Sequence, residues 1–310
     1  MPSVTNDRPH RRWRVEGPTI GVAAAVYCGF LVITWFFNDL PLMIAAPVAA
    51  LLLAWQSSLQ HETIHGHPTC SRRINTLFGW PPLSLWLSYE VYRETHLRHH
   101  RCKGARLTRP GDDPESHYLP TGRLAASGRT ARALLLFNRT LFGRLTFGPA
   151  ISIVRFWGAE IRRVRAREAG RIPVWLRHAA SVALVLGWVV GVCHIPVTTY
   201  ILLMAYPSIS LSQLRSFAEH RSHADPKLRT NVVETGRFFS LLFLNNNLHI
   251  AHHAKPGMAW YRLPDAWRAM RPEANRTGAA IRSGYRSLFQ THWLRPIITE
   301  EYPLTDGAAP

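Results

Sequence analysis

The sequence predicts an all-α integral membrane protein: two transmembrane helical hairpins, four spans in all, beneath a cytoplasmic cap of histidine-rich helices. Three observations predict it. Four apolar blocks of bilayer length occur in two close pairs, Lys and Arg avoid the turns within those pairs, and histidines gather just past the blocks' outer ends.

The apolar blocks are residues 19–37, 41–59, 174–193 and 196–214. Each is about 19–20 residues, roughly 28–30 Å as a helix, which matches the hydrocarbon core of a bilayer. Asn38-Asp39-Leu40 joins the first pair and His194-Ile195 the second. Joins this short hold no domain, so each pair is a hairpin with both outer ends on one side. Charge then selects the side. Of 37 Lys and Arg, four precede residue 19, nineteen lie in residues 60–173, one is Arg177 and thirteen follow Leu214. The joins carry none, which is the positive-inside pattern of an inner-membrane protein with cytoplasmic termini. The net charge of +18 is thereby assigned to topology and anionic headgroups. No nucleic-acid module accompanies it, so a nucleic-acid partner is not expected. Four buried helices of a soluble protein are the alternative; the charge-free turns and the block lengths speak against it.

Residues 74–92 and 141–161 are semi-apolar and hold Pro, Gly and charges. They are expected as re-entrant or interfacial helices, the second with Arg155, Arg162 and Arg163 around Phe156 and Trp157 at headgroup level. No repeat and no strong strand pattern is present. Residues 1–18 read as a basic cytoplasmic tail, 19–264 as the membrane domain and 265–310 as a cytoplasmic extension. The first block is too long for a signal peptide's core and lacks a small-residue cleavage site. Cys28, Cys70, Cys102 and Cys193 form no CxxC pair, which argues against a disulfide framework or a thiolate zinc site.

The sixteen histidines are patterned. His61 and His65 stand at i, i+4 in HETIH. His96, His99 and His100 stand at i, i+3, i+4 in HLRHH, and His249, His252 and His253 repeat that spacing in HIAHH. On a helix these offsets share one face. A random chain of this histidine content would hold roughly 0.04 HxxHH matches, so chance does not supply two. His220, in SFAEH, directly follows the fourth block. Polar groups at such depth are costly unless paired or metal-bound. Eight or nine imidazoles exceed what one ion takes and suit two metals with four or five ligands each. Imidazole alone does not choose among Fe, Zn, Cu and Ni.

HETIH also matches HExxH, in which Glu62 would be the general base of a membrane zinc protease. That reading leaves both HxxHH clusters unexplained. A metal-storing or transporting protein is a further alternative, but the apolar spans offer no polar path.

The set HETIHGH, HLRHH and LNNNLHIAHH, in this order around two apolar hairpins, resembles the membrane fatty acid desaturase superfamily, which includes carotenoid ketolases and hydroxylases. The resemblance covers roughly residues 41–264. It implies a di-iron centre held by His61, His65, His96, His99, His100, His249, His252 and His253, with His220 as a further ligand and His223 as its competitor. It implies an O2-dependent oxidoreductase that introduces a double bond into a fatty acyl or lipid-like chain, with O2 as co-substrate. PGDDPES at 110–116 and WYRLP at 260–264 are similar to both desaturases and ketolases, so a hydroxylase or ketolase of a carotenoid or other lipid, and a desaturase of a small natural product, stay open. The chain has no GxGxxG, P-loop or CxxCH motif, so electrons are expected from an external donor such as a ferredoxin, steered by the basic surface.

Other polar residues have two readings each. Glu62 orients a ligand histidine or is a plain helix-face carboxylate. His67 is read as an interfacial residue beside Pro68. Asp112, Asp113 and Glu115 form a turn or bond ligand imidazoles. Asn245, Asn246 and Asn247 cap the helix of the third box or support a ligand. Trp80, Trp86, Tyr89 and Tyr92 line a substrate tunnel or form an interfacial belt. His10, His117, His178, His194 and His292 read as surface or structural residues.

Overall fold

A computed structural model describes residues 15–297 and Tyr302. His10 and most of the basic tail lie outside the described residues. The chain is mostly helical, and three helices are long and apolar enough to cross a membrane. The first is α1 (Gly17–Trp35), opened by Pro18 in its first turn, where the missing N–H costs nothing. The second is α2 (Leu42–Ile64). The third is the run Arg171–Val192, formed by α8 (Arg171–Leu186) and a π-helical stretch, Gly187–Val192.

The fourth apolar block is continuous but not uniform. It is α9 (Val197–Thr199), a π-helical stretch Tyr200–Ala205 and α10 (Tyr206–Ser216). Its Ser208, Gln213 and Leu214 are buried while Ile201, Leu202 and Leu203 are exposed. Exposed large apolar side chains also coat the other helices, among them Leu31, Met43, Ile44, Leu176 and Leu184. A water-facing surface does not carry such a coat, whereas lipid tails accept it.

The two joins meet at one end. Asn38 Nδ2 donates to the Cys193 carbonyl at 2.9 Å, Trp188 Nε1 donates to Thr34 Oγ1 at 2.9 Å, and Trp35 stacks on Trp188. Phe30, Ala45, Ala49, Leu53, Val189, Tyr200 and Met204 form the core between these helices. Small residues let the first two helices approach closely: a Cβ on Gly29 would stand 3.0 Å from Leu52.

At the other end lies the cap. Residues 74–92 are not one helix. They give the end of α3 (Arg72–Gly79), an irregular stretch and the start of α4 (Tyr89–Arg101), because Pro81-Pro82 cannot continue a helix. After α5 (Arg129–Phe137), residues 141–161 likewise divide at Phe147 into α6 (Leu141–Thr146) and α7 (Gly148–Arg165), which opens with Pro149. Arg163 does not serve headgroups alone: it pairs with Glu94 at 2.8 Å and Glu160 at 3.0 Å. Arg171 pairs with the same two at 2.8 and 3.3 Å, so ion pairs tie α4 to α7 and α8.

The rest of the chain returns to this cap. β1 (Val232–Val233) follows α10, then α11 (Arg237–Leu242), α12 (His249–Ala254), α13 (Leu263–Arg276), β2 (Ile281–Arg282) and α14 (Gly284–His292). β1 and β2 pair in parallel, Val232 with Ile281 and Val233 with Arg282, a two-residue ladder too short to leave a sequence pattern. Leu263, Ala266 and Trp267 of α13 pack with Val232, Leu248 and Ala251. Tyr285 and Leu288 of α14 pack with Ala54, Leu214 and Phe243. The segment after residue 264 is therefore built into the wall behind the third histidine box.

Candidate metal centre

All nine predicted histidines converge, and they do so as two groups. His61, His65, His96, His100 and His252 form group A; His99, His220, His249 and His253 form group B. Within each group the candidate ligand atoms lie within 4.8 Å of one another. Group A takes its first pair from the last turn and end of α2, where the i, i+4 offset sets both rings on one side. The helices α4 and α12 each serve both groups. From α4, His96 and His100 turn to A and His99 to B; from α12, His249 and His253 turn to B and His252 to A. The HxxHH spacing thus does two things at once: its i, i+4 pair closes one group and its remaining histidine reaches into the other.

The spacing of the donors fits a metal. In group A, Nε2 of His96 stands 2.9 Å from that of His65 and 3.1 Å from that of His100, and His252 stands 3.0 Å from His100. In group B, His99–His253, His220–His249 and His249–His253 are separated by 3.2, 3.0 and 3.1 Å. Nitrogens about 2.1 Å from one ion and at right angles to each other lie about 3.0 Å apart. An all-imidazole donor set of this size suits iron as well as zinc or copper, and carries no thiolate.

The opposite ring nitrogens are held from behind. His99 Nδ1 donates to Asp113 Oδ1 at 2.8 Å, and His96 Nδ1 donates to Glu115 Oε1 at 2.7 Å. Each bond fixes the tautomer that leaves Nε2 free to ligate. Asp113 is in turn held by the backbone N–H groups of Thr108 and Glu115, both at 2.9 Å. The turn and ligand-support readings of this acidic stretch therefore hold together, except for Asp112, which pairs loosely with Arg109 on the surface. His249 Nδ1 donates to Asn246 Oδ1 at 3.1 Å, and Asn246 Nδ2 donates to Glu219 Oε1 at 3.3 Å. Among the three asparagines Asn246 supports a ligand, while Asn245 bonds the Trp260 carbonyl and Asn247 the Val233 carbonyl. None caps α12, whose first residues follow Leu248.

Electrostatics keep most of the rings neutral, the form that binds metal. Burial and repulsion by neighbouring imidazoles hold His249, His252 and His253 well below the ordinary histidine range. Burial, followed by repulsion from His96 and His99, lowers His100 to about 3. His99 is the exception. Burial opposes its charging, but Glu115 and the bond to Asp113 outweigh burial and raise it to about 9.

The structure separates His220 from its competitor. His220 joins group B from a bridge with Thr230, while His223 is in neither group and its half-buried ring accepts from the Asp225 N–H. Glu62 turns away from both groups: its Oε1 accepts from the Trp260 N–H at 2.9 Å and lies 3.9 Å from His67 Nε2. A protease base would have to face a metal-bound water, so this orientation disfavours the HExxH reading. His67 is buried rather than interfacial, bonded to Glu16 at 2.8 Å, and Glu16, Glu62 and His67 form a small cluster of their own. His178 is structural, with Nε2 bonded to the Leu85 carbonyl. Of the aromatic residues, Tyr92 comes nearest the site, its ring 5.7 Å from that of His96. Tyr89 bonds Thr63, and Trp86 packs on Phe156.

Sequence reasoning missed Glu219, which burial raises to about 7 against the opposing charge of Arg215. Its only sequence signal is its place directly before His220. It also missed the buried Arg144 beside the site, for which no spacing signal exists.

A family model described as Fatty acid desaturase matches residues 38–285, a stretch that contains all nine histidines. No curated protein matches the chain.

Proposed function

The chain belongs to the fatty acid desaturase family, a family of membrane oxidoreductases, and from that premise we propose that it is an O2-dependent di-iron enzyme that introduces a double bond into a fatty acyl or lipid-like chain. The observation that carries the reading is the division of nine imidazoles into two groups with ligand-like nitrogen spacing. Group A would hold one iron and group B the other. Iron bound there supplies the oxygen-dependent oxidation of an unactivated C–H bond.

The chain's own residues orient and shield. Asp113, Glu115 and Asn246 lock the rings that carry the ligating nitrogens. Asp113 and Glu115 also bring negative charge beside the two cation positions, which favours metal retention. Leu59, Phe217 and Leu248, each within three residues of a ligand histidine, are buried, and such an apolar surround would limit water at the reacting carbon. The basic stretches face the cytoplasm in this reading, the fourth apolar run completes a second hairpin, and the residues past 264 form a cytoplasmic extension. Electrons come from a separate acidic donor such as a ferredoxin, drawn to that basic surface.

The test is metal content together with product. Detergent-purified protein is expected to carry about two irons per chain, and a host expressing it should accumulate a lipid or acid with one added double bond, absent with His99→Ala. One zinc per chain, unaffected by His99→Ala, overturns the di-iron reading. Two irons with a new hydroxyl or keto group, and no new alkene, moves the assignment to the hydroxylase or ketolase.

A further inference from the structure

Arg144 lies on α6 with only 8% of its surface exposed. A guanidinium keeps its charge at any pH a protein meets, and a buried charge is stable only with a counter-charge. Among the described residues Arg144 makes no ion pair, and its Nε has no hydrogen-bond partner. Burial first, and then the like charges of Arg155 and Arg139, lower its pKa to about 10.

The space beside it explains what is missing. Arg144, Arg139 and Tyr118 line a cavity of about 30 Å³ that also reaches Glu115 and His220. Glu115 is committed to His96 at 2.7 Å and makes no ion pair with Arg144. The cavity is therefore compact, Arg144 brings to it a positive charge that no ion pair among the described residues neutralises, and one of its walls is a histidine of group B.

We propose that this cavity is an anion site that takes a carboxylate, with Arg144 as the principal counter-charge. Its size suits one carboxylate or a very few waters, not a nucleotide or a phospholipid headgroup. The same chemistry arrives from two sources: the free-acid end of a long-chain substrate, or a small carboxylate from solution. The first source rests on the desaturase reading and makes the substrate a free acid held by its end beside the metals. The second does not depend on that reading.

The test uses the full chain, purified in detergent with its metals. Thermal unfolding is followed by Trp fluorescence in acetate and in chloride at equal ionic strength, for the wild type, Arg144→Gln and Arg144→Lys. Acetate is expected to raise Tm saturably in the wild type, with the response partly kept in Arg144→Lys and acetate affinity reduced at least about tenfold in Arg144→Gln. Palmitate that cancels the acetate increment, and binds about tenfold more tightly than methyl palmitate only while Arg144 is present, identifies the substrate end. An acetate response that palmitate does not affect identifies the small carboxylate. Equal responses to acetate and chloride in the wild type overturn the site, as does an undiminished acetate response in Arg144→Gln. Should Arg144→Gln fail to fold, the wild-type comparison of the two anions and Arg144→Lys decide it. Iron is counted on the same samples: an acetate response without iron sinks the metal reading and keeps the site, and iron without an acetate response does the reverse.

Discussion

Groups A and B are made of the same side chain and share the helices α4 and α12, yet they differ in number and in surroundings. Group A has five imidazoles and one carboxylate behind them, Glu115. Group B has four imidazoles with Asp113 bonded to His99 and Glu219 3.5 Å from His249. Around a six-coordinate ion, five imidazoles leave one position open and four leave two. The poorer ligand set is the one with more negative charge beside it. In a low-dielectric site that charge would offset part of the missing donor once a cation is bound. The lesson is that ligand counting alone does not rank two metal sites; the charges behind the rings must be counted too.

The sharpest break in the comparison is removal of one ligand from each side. His65→Ala removes a donor from A alone, and His253→Ala from B alone. Each is expected to lower turnover at least about a hundredfold, since both metals are needed for the reaction. Iron per chain should fall from about two to about one, with the surviving iron in the unaltered group. Mössbauer spectra of the two variants should differ. Identical residual spectra would show that the groups do not act as two separate sites.

The next effect tests the charges rather than the rings. Asp113→Ala takes the acceptor from His99 Nδ1 and from two backbone N–H groups, whereas Glu115→Ala takes it from His96 alone. Losing such a partner typically lowers metal affinity about 10- to 100-fold. Chelator competition should place Asp113→Ala near the upper end, with iron lost from group B first, and Glu115→Ala near the lower end, with loss from group A. Equal losses from both groups in either variant would mean that the carboxylates hold the loop and not the particular ring.

The sequence reveals these two groups unequally. The nine histidines were legible because a helix repeats its face every three to four residues, and HxxHH leaves that period in the chain. Which ring joins which group was not legible. That depends on how α4 and α12 lie against each other, a tertiary relation with no local code. Asp113 and Glu115 were visible as an acidic stretch with two possible roles, but only folding assigns one to His99 and the other to His96. The apolar helices were legible from length and charge. Their boundaries shifted where helix chemistry overrode hydropathy: α2 runs on through the polar HETI as far as Ile64, since helices do not stop where lipid does. The breaks at Pro81-Pro82 and at Phe147 were carried by proline and glycine that a hydropathy reading averages away. Arg144 and Glu219 left no spacing pattern, because burial of a single charged residue depends on what the rest of the chain brings over it.

Proton competition gives a smaller, graded contrast. Once iron is stripped by chelation, His99 stays protonated up to about pH 9 because Asp113 and Glu115 outweigh its burial, while His100 and His252 are already neutral near pH 7. A metal binds only the deprotonated ring. Iron entering B must therefore displace a proton at any pH below about 9, and iron binding His100 and His252 of A need not displace one from those rings. Raising the pH from about 6 to about 8 should strengthen binding at B by up to about a hundredfold, and at A by less. Equilibrium titration with ferrous ion at several pH values reads both. Parallel pH dependence at the two groups would show that the carboxylates do not set the charge of His99.

The smallest expected effect concerns the boundary of group B. His220 and His223 lie three residues apart, and both resembled the ninth ligand in sequence. In the structure the His220 Nε2 stands 3.0 Å from that of His249, and its Nδ1 side is held by the Arg229 carbonyl at 3.3 Å. His223 is half-buried and outside both groups, and its ring closes a local turn by accepting from the Asp225 N–H at 3.0 Å. His223→Ala should therefore change iron content and turnover by less than about twofold, with at most about 0.5 kcal/mol of stability lost with the turn. His220→Ala should behave as a group B ligand loss. The pair is informative because both variants alter the same short segment. If His223→Ala also loses about one iron, group B recruits a fifth imidazole when metal binds, and the asymmetry between the two groups disappears.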